Sequence, residues 1–131
     1  MILTSKARYA VMAMVEISDN NSKKPLTLQN ISESQNISLS YLEQIFAQLK
    51  KAEIVKSIMG PGGGYKLAKQ SNKISIASII KATDEPIKMT RCSSKEKGCI
   101  NNKTKCKTHH LWQGLENKIY DYLESITLQD L

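Results

Sequence analysis

Residues 37–67 read ISLSYLEQIFAQLKKAEIVKSIMGPGGGYKL, and the fold follows from this stretch. Leu42, Ile45, Phe46 and Leu49 recur at steps of three and four, which is the apolar stripe of a helix packed on one side. Ser38 or Ser40 can start that helix, and Ser40 with Glu43 has the spacing of a capping box. Residues 54–58 are then rich in β-branched side chains, and Tyr65, Lys66 and Leu67 alternate, so two short strands are predicted. Between them, residues 60–64 hold four of the chain's six glycines. A glycine-rich tip between two strands is a hairpin. A phosphate-cradling loop is disfavoured, because no Gly-Lys-Ser/Thr follows and no helix starts there.

Upstream, Thr27 can cap a short helix with Leu28 and Ile31 on its apolar side, ending near Asn36. So short a connection to the next helix reads as helix-turn-helix, and the hairpin directly after it reads as a wing. The first helix, capped by Thr4 or Ser5, sets Ala10, Ala13, Met14 and Ile17 on one face with Glu16 and Asp19 outside it. A further helix is predicted over 75–83, with Ile76, Ile79 and Ile80 inward and Pro86 closing it. From Thr108 a last helix lines up Leu111, Trp112, Leu115, Ile119, Tyr122 and Ile126, a stripe best buried against a second copy. The expected architecture is mainly α with one small β-hairpin: a winged helix-turn-helix over 1–85, a ligand loop over 86–107, and a dimerisation helix with its tail over 108–131.

The chain's 131 residues suit one domain and an appendage, and 40% hydrophobic with 24% charged residues is globular composition. No apolar run reaches the ~18 residues of a membrane span. The run over 9–15 follows Lys6 and Arg8 but meets Glu16 and lacks a small-residue cleavage site, so an amphipathic helix and a cytoplasmic protein are expected. The net charge of +7 is uneven. Residues 1–69 carry nine basic against five acidic side chains, residues 70–107 nine against three, and residues 108–131 one against four. A polyanionic partner is implied, with nucleic acid ahead of an anionic membrane because no strongly basic amphipathic helix is present.

Three cysteines without a secretion signal do not make a disulfide framework. Cys92, Cys99 and Cys106 are separated by six residues and again six, and His109 follows after two. Zinc knuckles use two to four intervening residues, a spacing only Cys106 and His109 approach. The wide gaps suit a loop wrapped around a larger object, and an iron–sulfur cluster takes four ligands, of which histidine can be one. Three thiols and His109 complete that count; adjacent His110 points elsewhere on the helix. The loop, rich in Ser, Lys, Asn and Gly, has little reason to order alone, so ligation would order it. No nucleophile-base or paired-carboxylate arrangement is legible, and no enzyme is expected.

For DNA, the helix before the hairpin would enter the major groove with Ser38, Ser40, Tyr41, Glu43 and Gln44 nearest the bases. Gln44 can bond adenine twice, and the serines can contact base or phosphate. Glu43 can accept from cytosine's amino group or serve as the capping partner of Ser40; both readings stand on sequence.

The strings LTSKARYAVMAM, ISLSYLEQIF, GPGGGYKL and ITLQDL, with Thr108 and Trp112 around the Cys92/Cys99/Cys106/His109 set, resemble the iron–sulfur cluster regulators, the IscR branch of a winged-helix family, over essentially the whole chain. The resemblance implies a homodimeric transcription factor holding one 2Fe-2S cluster per chain through Cys92, Cys99, Cys106 and His109. It implies double-stranded promoter DNA as partner, cluster-assembly machinery as cluster donor, and repression or activation of cluster-assembly genes. It also sets Gly60, Pro61 and Gly63 of the wing near the DNA backbone. Met59 stands where the resemblance implies an arginine, so cationic entry into a narrow minor groove is lost there, and Lys56 or Lys66 replaces it only in part. The rival readings keep parts of this: a structural zinc site, a redox- or nitric-oxide-responsive thiol site, or a cluster carrier that needs no DNA surface.

Overall fold

Thr4 starts the first helix, α1 (Ser5–Asp19), by accepting from the Ala7 N–H at 3.2 Å. The computed structural model describes residues 3–20, 24–85, 87 and 106–131, so Pro86, Cys92 and Cys99 of the sequence reading lie outside the described residues. Ala7, Ala10, Ala13, Met14 and Ile17 of α1 are buried, and the small alanines let neighbouring backbones come close.

The helix-turn-helix forms by capping chemistry at each end. α2 (Leu28–Gln35) opens with a capping box in which Asn30 replaces the usual glutamate: Thr27 Oγ1 accepts from Asn30 N, and Asn30 Oδ1 accepts from Thr27 N. Asn36 ends it at φ 54°, a left-handed position that asparagine tolerates well. Ser38 then caps α3 (Leu39–Lys51), accepting from Tyr41 N at 3.3 Å. This corrects the Ser40–Glu43 capping box: Ser40 already lies inside the first turn, where its hydroxyl meets that of Ser38 at 3.1 Å.

α3 stops in a Schellman arrangement, with Ile54 N donating to Leu49 O and Glu53 N to Lys50 O. Glu53 occupies the left-handed position at φ 60°. The turn sends Ile54, 4% exposed, back onto the core and launches β1 (Val55–Ile58). β1 pairs antiparallel with β2 (Gly64–Leu67), Val55 opposite Leu67 and Ile58 opposite Gly64. Leu26 and Tyr65 exchange backbone bonds at 3.1 and 2.6 Å, tying the hairpin edge to the segment before α2. A Cβ on Gly64 would come within 2.4 Å of Leu26 O, so only glycine fits this crossing.

After a 3₁₀ turn (Ser71–Lys73), Ser75 caps α4 (Ile76–Ala82), which buries Ile76, Ile79 and Ile80 as expected. The core is shared by α1, α2, α3 and α4, with Phe46, Met14, Ile31, Leu42, Ile45, Leu49, Ile79 and Ile80 all below 3% exposure. α5 (His109–Ser125) follows Thr108 and has no buried residue. The chain then returns: Ile76 N donates to Ile126 O at 2.9 Å, Leu128 N to Ile74 O at 3.1 Å, and Leu128 is 3% exposed in the core. Burying that leucine contributes about 1.5–3 kcal/mol to holding the end of α5 on α4. Among the described residues, five α-helices and one hairpin make a mainly α winged helix-turn-helix with a C-terminal helix.

Candidate nucleic-acid interface and ligand turn

The two sides of α3 have different tasks. Leu42, Ile45, Phe46 and Leu49 are 0% exposed and anchor the helix. Ser40, Glu43 and Gln44 are exposed on the opposite side, continued by Ala47 and Lys50. Lys50 follows at the same three- and four-residue steps as Glu43 and Gln44, a signal the sequence reading passed over. Since no capping box forms, Glu43 is not held by Ser40, and its carboxylate projects from the exposed side.

Ser38 and Tyr41, also expected near the bases, have structural duties. Ser38 Oγ is engaged by Tyr41 N and Ser40 Oγ. Tyr41 is half-buried, with its ring edge-on to Tyr9 of α1 at 5.8 Å and 83°. These two set the pitch at which Ser40, Glu43 and Gln44 are presented.

The hairpin is fastened to the back of the same helix. Tyr65 of β2 lies 4.8 Å from the Phe46 ring at 62°, an edge arrangement that adds to area burial. Beyond it projects the tip, where Gly63 N donates to Gly60 O at 2.9 Å. Gly60 and Pro61 are exposed, Gly63 is half-buried, and Met59 is 88% exposed. A Cβ on Gly63 would sit 2.2 Å from Ile58 O, so this tight tip excludes any side chain there.

Of the expected metal ligands, Cys106 and His109 are described. They lie three residues apart on one turn at the head of α5: His109 N donates to Cys106 O at 3.1 Å, and Cys106 Sγ is 3.5 Å from Thr108 Oγ1. Both are half-buried. His109 and His110 meet edge-on at 5.4 Å and 87°, so the two imidazoles diverge in orientation. Among the described residues no three metal-ligating side chains converge, because the set's other two members lie outside them. One thiol and one imidazole on a single turn would fit half of a four-ligand cluster site. No helix among the described residues is long and apolar enough to cross a membrane.

The chain is similar to known proteins in sequence and fold. The family model Rrf2, described as an iron-dependent transcriptional regulator, matches residues 3–131. The HTH-type transcriptional regulator IscR of Vibrio cholerae serotype O1 is 49% identical over 131 residues, which span all of this chain and 75% of that protein. IscR of Pectobacterium carotovorum subsp. carotovorum is 48% identical over 131 residues and is covered to 79% of its length. Among solved structures, CymR, the global cysteine regulator of B. subtilis, superposes with a TM-score of 0.81 at 29% identity, covering 99% of this chain and 95% of that one. T. potens IscR gives 0.79 at 31% identity, with 99% and 85% covered.

A helix-turn-helix with a docked wing and a C-terminal helix, shared with named regulators across nearly the whole chain, defines a DNA-binding transcription regulator and not an enzyme. The chain belongs to the Rrf2 family, and within it to the IscR type.

Proposed function

We propose that this regulator works as a homodimer that holds one 2Fe-2S cluster per chain through Cys92, Cys99, Cys106 and His109 and adjusts transcription of cluster-assembly genes to cluster supply. The observation that carries the reading is the turn at the head of α5, where Cys106 and His109 stand three residues apart and are joined by a backbone hydrogen bond. Bound there, the cluster would supply a redox-active, oxidation-sensitive centre whose presence reports on cluster availability. The chain's own residues do the rest. Ligation by Cys106 and His109 ties the start of α5 to the loop, while Leu128 and the Ser75–Thr127 bridge hold its end on α4. The helix between them keeps Leu111 61%, Leu115 38% and Tyr122 66% exposed, an apolar stripe suited to a second copy of the same helix. Fixing or releasing the head of α5 thus changes how two α3 reading faces are held relative to each other.

The supporting chemistry for DNA is the exposed Ser40, Glu43 and Gln44 set, with Gly60, Pro61 and Gly63 beside the backbone. The decisive experiment is anaerobic purification followed by a visible absorption spectrum and iron, acid-labile sulfide and zinc analysis. Equal iron and sulfide with thiolate-to-iron bands, together with promoter-DNA binding that changes on cluster removal, is the expected result. A colourless protein carrying only zinc after reconstitution would instead make the site structural, a reading for which the two-residue Cys106–His109 gap speaks.

A further inference from the structure

The hairpin's register sets Lys56 directly opposite Lys66. Side chains alternate across a strand, and opposed residues share a face. The neighbouring pair is Val55, 2% exposed, with Leu67, which packs on the core. The next is Ser57 with Tyr65, whose ring lies on Phe46. Lys56 and Lys66 therefore stand together on the outer face, Lys56 exposed and Lys66 half-exposed. Among the described residues neither ammonium group has a carboxylate partner. Like charges directly opposite destabilise an antiparallel pair, so the free hairpin carries a local conflict that its sequence could have avoided.

We infer that this outer face is a phosphate clamp, in which both ammonium groups close on the DNA backbone beside the groove read by α3. The inference rests on the DNA-reading role of the wing. Opposed side chains start about 5 Å apart, and two flexible four-carbon stems can either splay away from each other or converge on one anion. A phosphate oxygen turns the repulsion into two charge-assisted hydrogen bonds. Duplex DNA is the phosphate source that the placement favours. β1 starts at Val55, directly after the turn that ends α3, and Tyr65 is fastened to Phe46 at 4.8 Å, so the pair rides at a set offset from the reading face. The clamp also returns cationic anchorage to a wing whose exposed Met59 is apolar. Such contacts position the protein and carry no sequence information.

The clamp has opposite consequences in the free and bound states, and that opposition tests it. Lys56→Gln, Lys66→Gln, the double variant and Lys56→Glu are compared with wild type for thermal unfolding and for binding to a mixed-sequence duplex of more than two turns across a salt series. In the free protein at low salt, Lys56→Glu, which pairs with Lys66, raises Tm by about a degree or two, an increase that fades as salt is added. On DNA, each glutamine variant weakens binding several-fold and lowers the salt slope by about one, equally for all sequences, and Lys56→Glu weakens it most. Unchanged affinity and slope in the double variant, or a Tm lowered by Lys56→Glu, overturns the clamp. If inorganic phosphate at matched ionic strength raises the Tm of wild type but not of the double variant, while DNA affinity is equal in both, the pair serves a free anion and the proposal is wrong. A wild-type protein that binds no duplex at all fails at the earlier step, the wing's DNA-reading role itself.

Discussion

Ser75 Oγ donates to Glu124 Oε2 at 3.0 Å, joining the cap of α4 to the last turn of α5. The same oxygen accepts from Ser78 N at 3.1 Å, so one buried hydroxyl both starts a core helix and holds the C-terminal helix in place. With Leu128 in the core, this makes one end of α5 a fixed point, whereas its other end carries Cys106 and His109. Ser75→Ala should therefore cost about 1–2 kcal/mol in urea unfolding, more than Glu124→Ala, which leaves the cap intact.

Glu53 is in the left-handed region at φ 60°, where a Cβ is unfavourable, and its N–H is needed by Lys50 O. Glycine keeps the bond and removes the clash. Glu53→Gly should raise stability by about 1 kcal/mol, read as a higher urea midpoint with an unchanged m-value.

Gly63 lies where a side chain would strike Ile58 O. Gly63→Ala must open the tip of the hairpin, yet the core beneath does not depend on it. Far-UV circular dichroism should stay as in wild type while duplex affinity, measured by fluorescence anisotropy, falls; an unchanged affinity would detach the tip from DNA binding.

Positioning and reading are separable on α3. Ser38→Ala removes the cap and should cost about 1 kcal/mol of stability with base preference retained. Gln44→Ala touches no core contact and should instead lose about 1–3 kcal/mol at one base position, seen as relaxed preference in a competition series of operator variants.

The ligand turn gives a fifth expectation. Cys106→Ala should abolish bound iron after anaerobic reconstitution, whereas His109→Cys should keep iron and change the visible spectrum, since a thiolate can take the imidazole's place. Retention of full iron by Cys106→Ala would remove this residue from the ligand set.

Much of this molecule is local and therefore legible in the chain. The stripe Leu42, Ile45, Phe46 and Leu49 is buried as its spacing requires, Thr4 and Thr27 cap the helices they precede, and the glycines at 60–64 turn the hairpin. The choice of Ser38 over Ser40 as cap was not legible, because both can offer a hydroxyl and only the exit from the left-handed Asn36 decides which lies ahead of the first turn.

Sequence alone determined the helix periodicities, the wing, the uneven basic charge and the clustering of three cysteines and a histidine along the chain, because each depends on residues close together in sequence. Only the tertiary structure decided that Leu128 enters the core beside Ile74, that Tyr65 bonds Leu26 and rests on Phe46, and that Lys56 faces Lys66. Those pairings join residues far apart in the chain or depend on strand register, and a contact is set by the packing of whole elements against one another, which local pattern does not encode.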